Sequence, residues 1–276
     1  MKVILFSKDR PMQSHAYLES LFYFSNVKEE DISVLYCHDQ NISYDKVISA
    51  FPGVNWVEQT SFNKQLRELV NEIEDDYMMF GCDDVVFIKS FYTQDIEKLL
   101  NDYSDIFGFS LRLGTDILNF PEESDLIKRY EVEDTVQYWT WDWRSDKIDD
   151  FHYPWEMDCT VYRTSDVRFI INHFPEFIEN PNYLEDLKMG VPRWRMACYN
   201  LPSRAMVITV NRVQDTHLNE VDERYKTDVE SLNQLYNNKG YKLDIKEISQ
   251  KCHNMVHVNA DYFILYPQYQ LRSNNE

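Results

Sequence analysis

Two adjacent aspartates between two short apolar runs constrain this chain more than any other feature of its sequence. The apolar run 77–80 leads to Asp83 and Asp84, and the run 85–88 follows immediately. Short apolar runs of this kind are typical of buried strands in an α/β sheet. Two carboxylates at such a place are costly to bury unless a cation or hydrogen-bond donors meet them. An acidic turn that faces water is the alternative interpretation.

Strands and helices alternate along the first part of the chain. Apolar runs predict strands at 3–6, 32–36, 55–58, 77–80, 85–88 and 106–113, and helical spacing predicts helices at 12–24, 44–51, 62–73 and 90–103. Pro11 suits the first position of a helix. The alternation predicts an α/β fold with a mostly parallel sheet flanked by helices. Ligands of such sheets bind beyond the carboxyl ends of the strands, which is where Asp83 and Asp84 lie.

The second part of the chain is less regular. Residues 115–135 are acidic and are predicted to be irregular, whereas 136–143 alternates and predicts a strand with three tryptophans on one face. Further strands are expected at 159–162 and 206–210, and helices at 165–173, 183–189, 221–236 and 245–253. Core packing is the favoured interpretation of the tryptophan face, and stacking on sugar rings is the alternative. Cys252, His253 and His257 are interpreted as helix surface and core rather than as a zinc site.

The composition restricts the partners and the cellular setting. A net charge of −19 argues against non-specific binding to nucleic acid or to an anionic membrane surface. The five cysteines include no Cys-x-x-Cys pair, which favours free thiols in a reducing compartment. No stretch reaches the roughly 18 apolar residues of a membrane span, and the start is too short in its apolar part for a signal peptide. We therefore expect a cytoplasmic protein with no membrane span.

The order of these elements resembles the GT-A glycosyltransferases, the nucleotide-sugar-dependent, Rossmann-like fold of glycosyltransferase family 2 and its relatives. The resemblance covers roughly residues 1–220 and is carried by short segments in a fixed order. These are Phe6-Ser7-Lys8-Asp9-Arg10-Pro11, His38-Asp39-Gln40-Asn41, Cys82-Asp83-Asp84-Val85, Tyr183-Leu184-Glu185-Asp186, and His217 after the last strand. The resemblance implies one GT-A-like domain over 1–276: a nucleotide-sugar-binding half (1–114), an acceptor and catalytic half (115–220) and a helical C-terminal extension (221–276).

The resemblance also implies roles for individual residues. Cys82-Asp83-Asp84-Val85 resembles the DXD metal motif without its third acid, which leaves open which carboxylate binds the metal; the resemblance favours Asp84. His217 is the second implied ligand of a Mn²⁺ or Mg²⁺ ion that neutralises the departing phosphates. Donor-binding roles fall on Ser7, Lys8, Arg10, Asp39 and Asp83.

Asp186 is the implied general base, which would take the proton from the attacking acceptor hydroxyl. An ordinary acidic first turn of a helix is the alternative interpretation of this residue. Trp155, Glu156 and Asp158 are the candidate acceptor residues, and the two acids are rival bases. The glycine-rich turn of many members is missing here, because 155–159 contains no glycine.

The sequence thus predicts a metal-dependent, inverting glycosyltransferase that moves a sugar from a nucleoside-diphosphate sugar to a hydroxyl of a glycan or another acceptor. A catalytically degenerate GT-A-like binding protein is one alternative. A sugar-nucleotide nucleotidyltransferase is another, although 7–11 contains no glycine-rich loop. Phosphate-binding loops, dinucleotide fingerprints and nucleophile elbows are absent from the sequence.

Overall fold

The computed structural model describes residues 1–130, 135–144, 149–173, 178–185, 187, 191–200, 202–211 and 228–267. Its first part contains the strands β1 (Lys2–Lys8), β2 (Ile32–Cys37), β3 (Asn55–Glu58), β4 (Tyr77–Cys82), β5 (Val85–Phe87) and β6 (Ile106–Gly114), and the helices α1 (Pro11–Phe24), α2 (Asp45–Ala50), α3 (Phe62–Glu72) and α4 (Thr93–Asp102). Every strand and helix predicted up to residue 113 is present, with ends that differ by at most a few residues.

The second part adds β7 (Ser124–Tyr130), β8 (Thr135–Asp142), β9 (Thr160–Arg163), α5 (Thr164–His173), α6 (Pro181–Glu185), β10 (Arg195–Tyr199), β11 (Ala205–Ile208), α7 (Val229–Asn237), β12 (Tyr241–Leu243), α8 (Ile245–Ile248), β13 (His257–Val258) and β14 (Leu265–Pro267). In the described part of the chain, no helix is long and apolar enough to cross a membrane.

A nine-stranded sheet forms the centre of the fold, in the order β3-β2-β1-β4-β9-β6-β10-β8-β7. The first four strands are parallel to one another, and β6 is parallel to β10. Strand β9 is antiparallel to both of its neighbours, β4 and β6, and so joins the two parallel groups. The predicted α/β class, with a large sheet flanked by helices, is confirmed.

A second sheet of three strands, in the order β13-β11-β5, lies next to the acidic pair. Strand β5 begins directly after Asp84, and the amide of Ile208 in β11 donates to the Asp84 carbonyl at 2.9 Å. Val207 in β11 pairs with His257 in β13. This small sheet therefore brings three segments that are distant in sequence to the same place.

The prediction was wrong in several segments of the second part. Residues 124–130, predicted to be irregular, form β7, because each residue from Ser124 to Tyr130 pairs with β8. Strand β10 was not predicted at all. The helix predicted over 245–253 ends at Ile248, because the chain turns there and then enters β13.

Dense packing around the end of β4 explains a glycine inside a strand. Gly81 lies against the ring of Tyr17 in α1, and a Cβ at this position would overlap the tyrosine hydroxyl. Tyr17 is fully buried. Only glycine allows α1 to lie this close to β4, and this contact fixes the strand that leads into Asp83.

Candidate functional site

A cavity of about 560 Å³ lies beyond the carboxyl ends of β1, β2 and β4. The lining residues include Ser7, Lys8, Arg10, Cys37, Cys82, Asp83, Asp84, Arg112, Asp150, Tyr153, Asp158, Asn180, Asn182, Glu185, Asn211 and His257. The first seven of these lie at or just after the ends of β1, β2 and β4. This is the place in an α/β sheet where ligands are expected, and the acidic pair does lie there.

Asp83 is held by the end of β1. Its Oδ2 accepts hydrogen bonds from the Ser7 hydroxyl at 2.8 Å and from the Lys8 amide at 3.2 Å. Its Oδ1 accepts from Arg10 Nη1 at 3.0 Å. Burial raises the pKa of Asp83 to about 6, and the attraction of Arg10 opposes this rise. Asp83 is thus a buried carboxylate whose oxygens are largely used by the protein itself.

Asp84 is placed differently. Its side chain is 22% exposed, against 4% for Asp83, and it borders the cavity. Its Oδ2 lies 3.2 Å from Arg10 Nη1. Burial raises the pKa of Asp84 as well, with Arg10 acting in the opposite direction. Of the two carboxylates, Asp84 is the one with room for a ligand.

The lining residues suit a hard divalent cation only in part. Among the described residues, no group of three or more histidine, cysteine, aspartate or glutamate side chains is arranged to hold a metal ion. Mg²⁺ is commonly held by one or two carboxylates together with substrate phosphates and water. Asp84 fits that use, and His257 lies close enough to act electrostatically on it. The predicted ligand His217 lies outside the described residues.

The turn after β1 has an unusual backbone. Asp9 has φ of 58°, in the left-handed region, where aspartate is better tolerated than most residues. Its amide donates to the Cys37 carbonyl, and its Oδ1 accepts from the amide of Asp39 at 2.6 Å. Asp39, predicted to bind the donor, has an exposed side chain and does not border the cavity.

The other end of the cavity is acidic. Asp158 and Glu185 are half-buried and line it, and Glu185 Oε1 accepts from the Met157 amide at 2.9 Å. Arg112 is buried in the same wall and faces Asp150 at 3.5 Å. Carboxylate and amide side chains of this kind bind hydroxyl groups well. The predicted base Asp186 directly follows Glu185, but it lies outside the described residues.

Two of the predicted acceptor residues are placed elsewhere. Trp155 is fully buried, and its Nε1 donates to the Leu184 carbonyl, so it packs in the core and does not line the cavity. Glu156 is also buried; it accepts from Thr160, and its Oε2 contacts Nε of Arg112. Burial raises the pKa of Glu156 to about 8. Of the acids proposed as rival bases, only Asp158 lines the cavity.

Sequence reasoning missed the roles of Asn211, Arg112 and His257. Asn211 directly follows one predicted strand and Arg112 lies near the end of another, and that position was the available signal. His257 was grouped with Cys252 and His253, but it lies at the cavity while Cys252 is exposed. All five cysteines are free in this structure.

The similarity to glycosyltransferases that the motifs implied is confirmed by a curated relative. Over 278 aligned residues, the chain is 28% identical to the bifunctional glycosyltransferase pgtA of Dictyostelium discoideum, covering 87% of this chain and 36% of that protein. The chain thus spans about a third of the length of this relative. No protein-family profile matches the chain.

Two solved structures align with part of this chain. TarS of S. aureus aligns with a TM-score of 0.46 and 11% identity over 74% of this chain and 36% of that protein. The mannosyltransferase PcManGT of Pyrobaculum calidifontis, solved with GDP-Man and Mn²⁺, aligns with a TM-score of 0.36 and 9% identity over 73% of this chain and 55% of that protein.

Proposed function

We propose that this protein is a metal-dependent, inverting glycosyltransferase that moves a sugar from a nucleoside-diphosphate sugar to a hydroxyl of a glycan or another acceptor. The observation that carries this proposal is the position of Asp84. Its carboxylate borders a cavity of about 560 Å³ at the carboxyl edge of the sheet, beside the cationic side chain of Arg10. The similarity to a glycosyltransferase over 87% of the chain supports the same reaction class.

The donor would occupy the end of the cavity formed by β1, β2 and β4. Lys8 would supply positive charge for the diphosphate and Arg10 would lie beside it, while the half-buried Cys37 at the end of β2 and the buried Phe62 at the start of α3 would supply apolar surface for the nucleoside. Asp84 would hold a Mn²⁺ or Mg²⁺ ion, with His257 beside it and His217 as the further candidate. The ion would supply charge neutralisation to the leaving phosphates.

The acceptor would occupy the acidic end. Its hydroxyl groups would bind to Asp158, Glu185 and the amides of Asn180 and Asn182, all of which line the cavity. Asp186 remains the proposed general base, and Asp158 is the alternative, since it lines the cavity and its charge acts on both Asp84 and Arg112. A base on this side of the donor would remove the proton of the attacking hydroxyl and favour inversion.

A thermal-shift panel of nucleoside diphosphates and nucleotide sugars, each with and without Mn²⁺, tests the proposal. A ligand that binds only the folded state raises its melting temperature by mass action. We expect one nucleotide to stabilise the protein, with a larger shift when Mn²⁺ is present, and we expect Asp84→Asn to lose the Mn²⁺-dependent part. Arg144→Gln, which removes an exposed charge that does not line the cavity, is the control.

Turnover assays then separate the enzyme from a degenerate binding protein. Release of a nucleoside diphosphate in the presence of a hydroxyl acceptor supports transfer. Nucleotide binding without any turnover across a broad acceptor panel would instead favour the binding protein, and pyrophosphate release from a nucleoside triphosphate would favour a nucleotidyltransferase. A folded protein that binds none of the nucleotides contradicts the proposal.

A further inference from the structure

Arg10 is bound from both sides within the wall of the cavity. Its Nη1 contacts Asp83 Oδ1 at 3.0 Å and Asp84 Oδ2 at 3.2 Å. On the opposite side, Nε donates to Asn211 Oδ1 at 2.8 Å and Nη2 donates to the Asn211 backbone carbonyl. The residue is only 8% exposed. Each guanidinium nitrogen is therefore held, and the side chain cannot turn away from the acidic pair without breaking several hydrogen bonds at once.

The two carboxylates of the acidic pair already have bonding partners within the protein before any ligand binds. A guanidinium is always charged in proteins, so Arg10 already balances one of the two negative charges. It also occupies one oxygen of each carboxylate, while Ser7 and the Lys8 amide use the remaining oxygen of Asp83. A divalent cation needs free oxygen lone pairs as ligands, and it binds most tightly where negative charge is not balanced by a neighbouring positive charge. At this site, fewer oxygen lone pairs are free and less of the negative charge is unbalanced.

We propose that Arg10, held by Asn211, is a built-in counter-cation of Asp83 and Asp84 and a positioning residue for Asp84. The free protein then has low affinity for a divalent metal at this pair, and a metal is held there only together with the oxygens of a diphosphate. This last step rests on the function proposed above. Metal and donor would accordingly bind as one complex rather than metal first.

The first test uses Mn²⁺ alone, with no nucleotide, and follows free Mn²⁺ by electron paramagnetic resonance. Wild-type protein and Asp84→Asn should bind Mn²⁺ equally weakly, because the pair is already balanced in the wild type. An Asp84-dependent site of micromolar affinity in the wild type would overturn the proposal. This comparison does not require any variant of Arg10 to fold.

The second test removes the counter-cation. Arg10→Gln should gain a Mn²⁺ site that is about tenfold tighter or more, since a neighbouring opposite charge changes the proton affinity of a carboxylate by a comparable factor. The added site should be absent from Arg10→Gln/Asp84→Asn. Arg144→Gln removes the same charge from an exposed pair and should gain nothing, which controls for the overall charge of the protein.

Melting temperatures give a readout that is independent of activity. Mn²⁺ should stabilise Arg10→Gln, because the ion replaces the missing guanidinium, and should leave the wild type unchanged. If Arg10→Gln and the wild type respond equally to Mn²⁺, Arg10 does not control the acidic pair. Failure of the proposed function would instead be recognised by the absence of nucleotide binding, which these metal-only measurements do not involve.

Discussion

The hydroxyl of Ser7 lies 2.8 Å from Oδ2 of Asp83, and this hydrogen bond joins the end of β1 to the turn that follows β4. The same hydroxyl is within 2.6 Å of the Ser14 and Tyr44 hydroxyls, so it connects the acidic pair to α1 and to the segment before α2. All of these groups are buried. The position of the candidate metal-binding turn is therefore fixed by a polar network inside the core.

Ser7→Ala should lower the free energy of unfolding by about 1 to 3 kcal/mol, because it leaves buried polar partners without a hydrogen bond. Denaturant titration measures this loss. Ser165→Ala, at an exposed serine in the first turn of α5, is the matched control and should change stability very little. Equal stability of the two variants would show that the Ser7 network does not support the turn.

Asp83→Asn and Asp84→Asn should separate stability from activity. Asp83 is nearly fully buried and holds Arg10, so its substitution should cost about 3 kcal/mol of stability, as expected when one partner of a buried ion pair is removed. Asp84→Asn should keep most of the stability and lose sugar transfer by at least about a hundredfold. Melting curves and donor turnover, measured side by side, check both outcomes; normal turnover in Asp84→Asn would remove that residue from the mechanism.

Gly81→Ala should destabilise the protein by about 1 to 3 kcal/mol, the usual cost of overpacking. The added Cβ would overlap the buried ring of Tyr17, which has no room to move. Gly53→Ala is the control, because there the Cβ meets only the flexible side chain of Glu29. Urea unfolding of both variants should show the larger loss for Gly81→Ala, and the reverse order would contradict the packing argument.

The stability of the wild type should fall as the pH rises from about 4.5 to about 8 because of Glu156. Its pKa in the folded protein is raised to about 8 from an ordinary value of 4.5, so across this window the folded state holds a proton that the unfolded state has released. The loss should be on the order of a few kcal/mol. Glu156→Gln should flatten this pH dependence, whereas Glu72→Gln, at an exposed position, should leave it unchanged.

The first half of the fold followed from the sequence because its signals are local. Most strands from β1 to β6 contain a short apolar run, and the helices between them carry apolar residues at helical spacing. Strand β7 gave no such signal: Ser124 to Tyr130 is mostly polar and becomes a strand because its backbone pairs with β8 at the edge of the sheet. Strand β10 is short and lies between two other strands, so its pairing was also decided by tertiary context.

The candidate site was predicted as far as residues adjacent in sequence could reveal it. Asp83, Asp84, Ser7, Lys8 and Arg10 do line the cavity, and their positions at strand ends were the signal. The burial of Trp155 and Glu156, both predicted to bind the acceptor, could not be foreseen, because an aromatic, acidic segment gives no sign of whether it is buried. The contact between Arg10 and Asn211, residues 201 positions apart, has no sequence signature at all.

The three-stranded sheet has a consequence for how the protein is made. The cavity wall around Asp84 is completed by β11 and by β13, which ends at Val258. Contacts between such distant segments form slowly, because the entropy cost of closing a long loop comes before the contacts can stabilise the fold. During synthesis on the ribosome, the parallel strands can assemble well before the segment that carries His257 has emerged. In a nascent chain, the acidic pair therefore lacks the part of the cavity wall that β11 and β13 form, and the site becomes complete only when these strands dock.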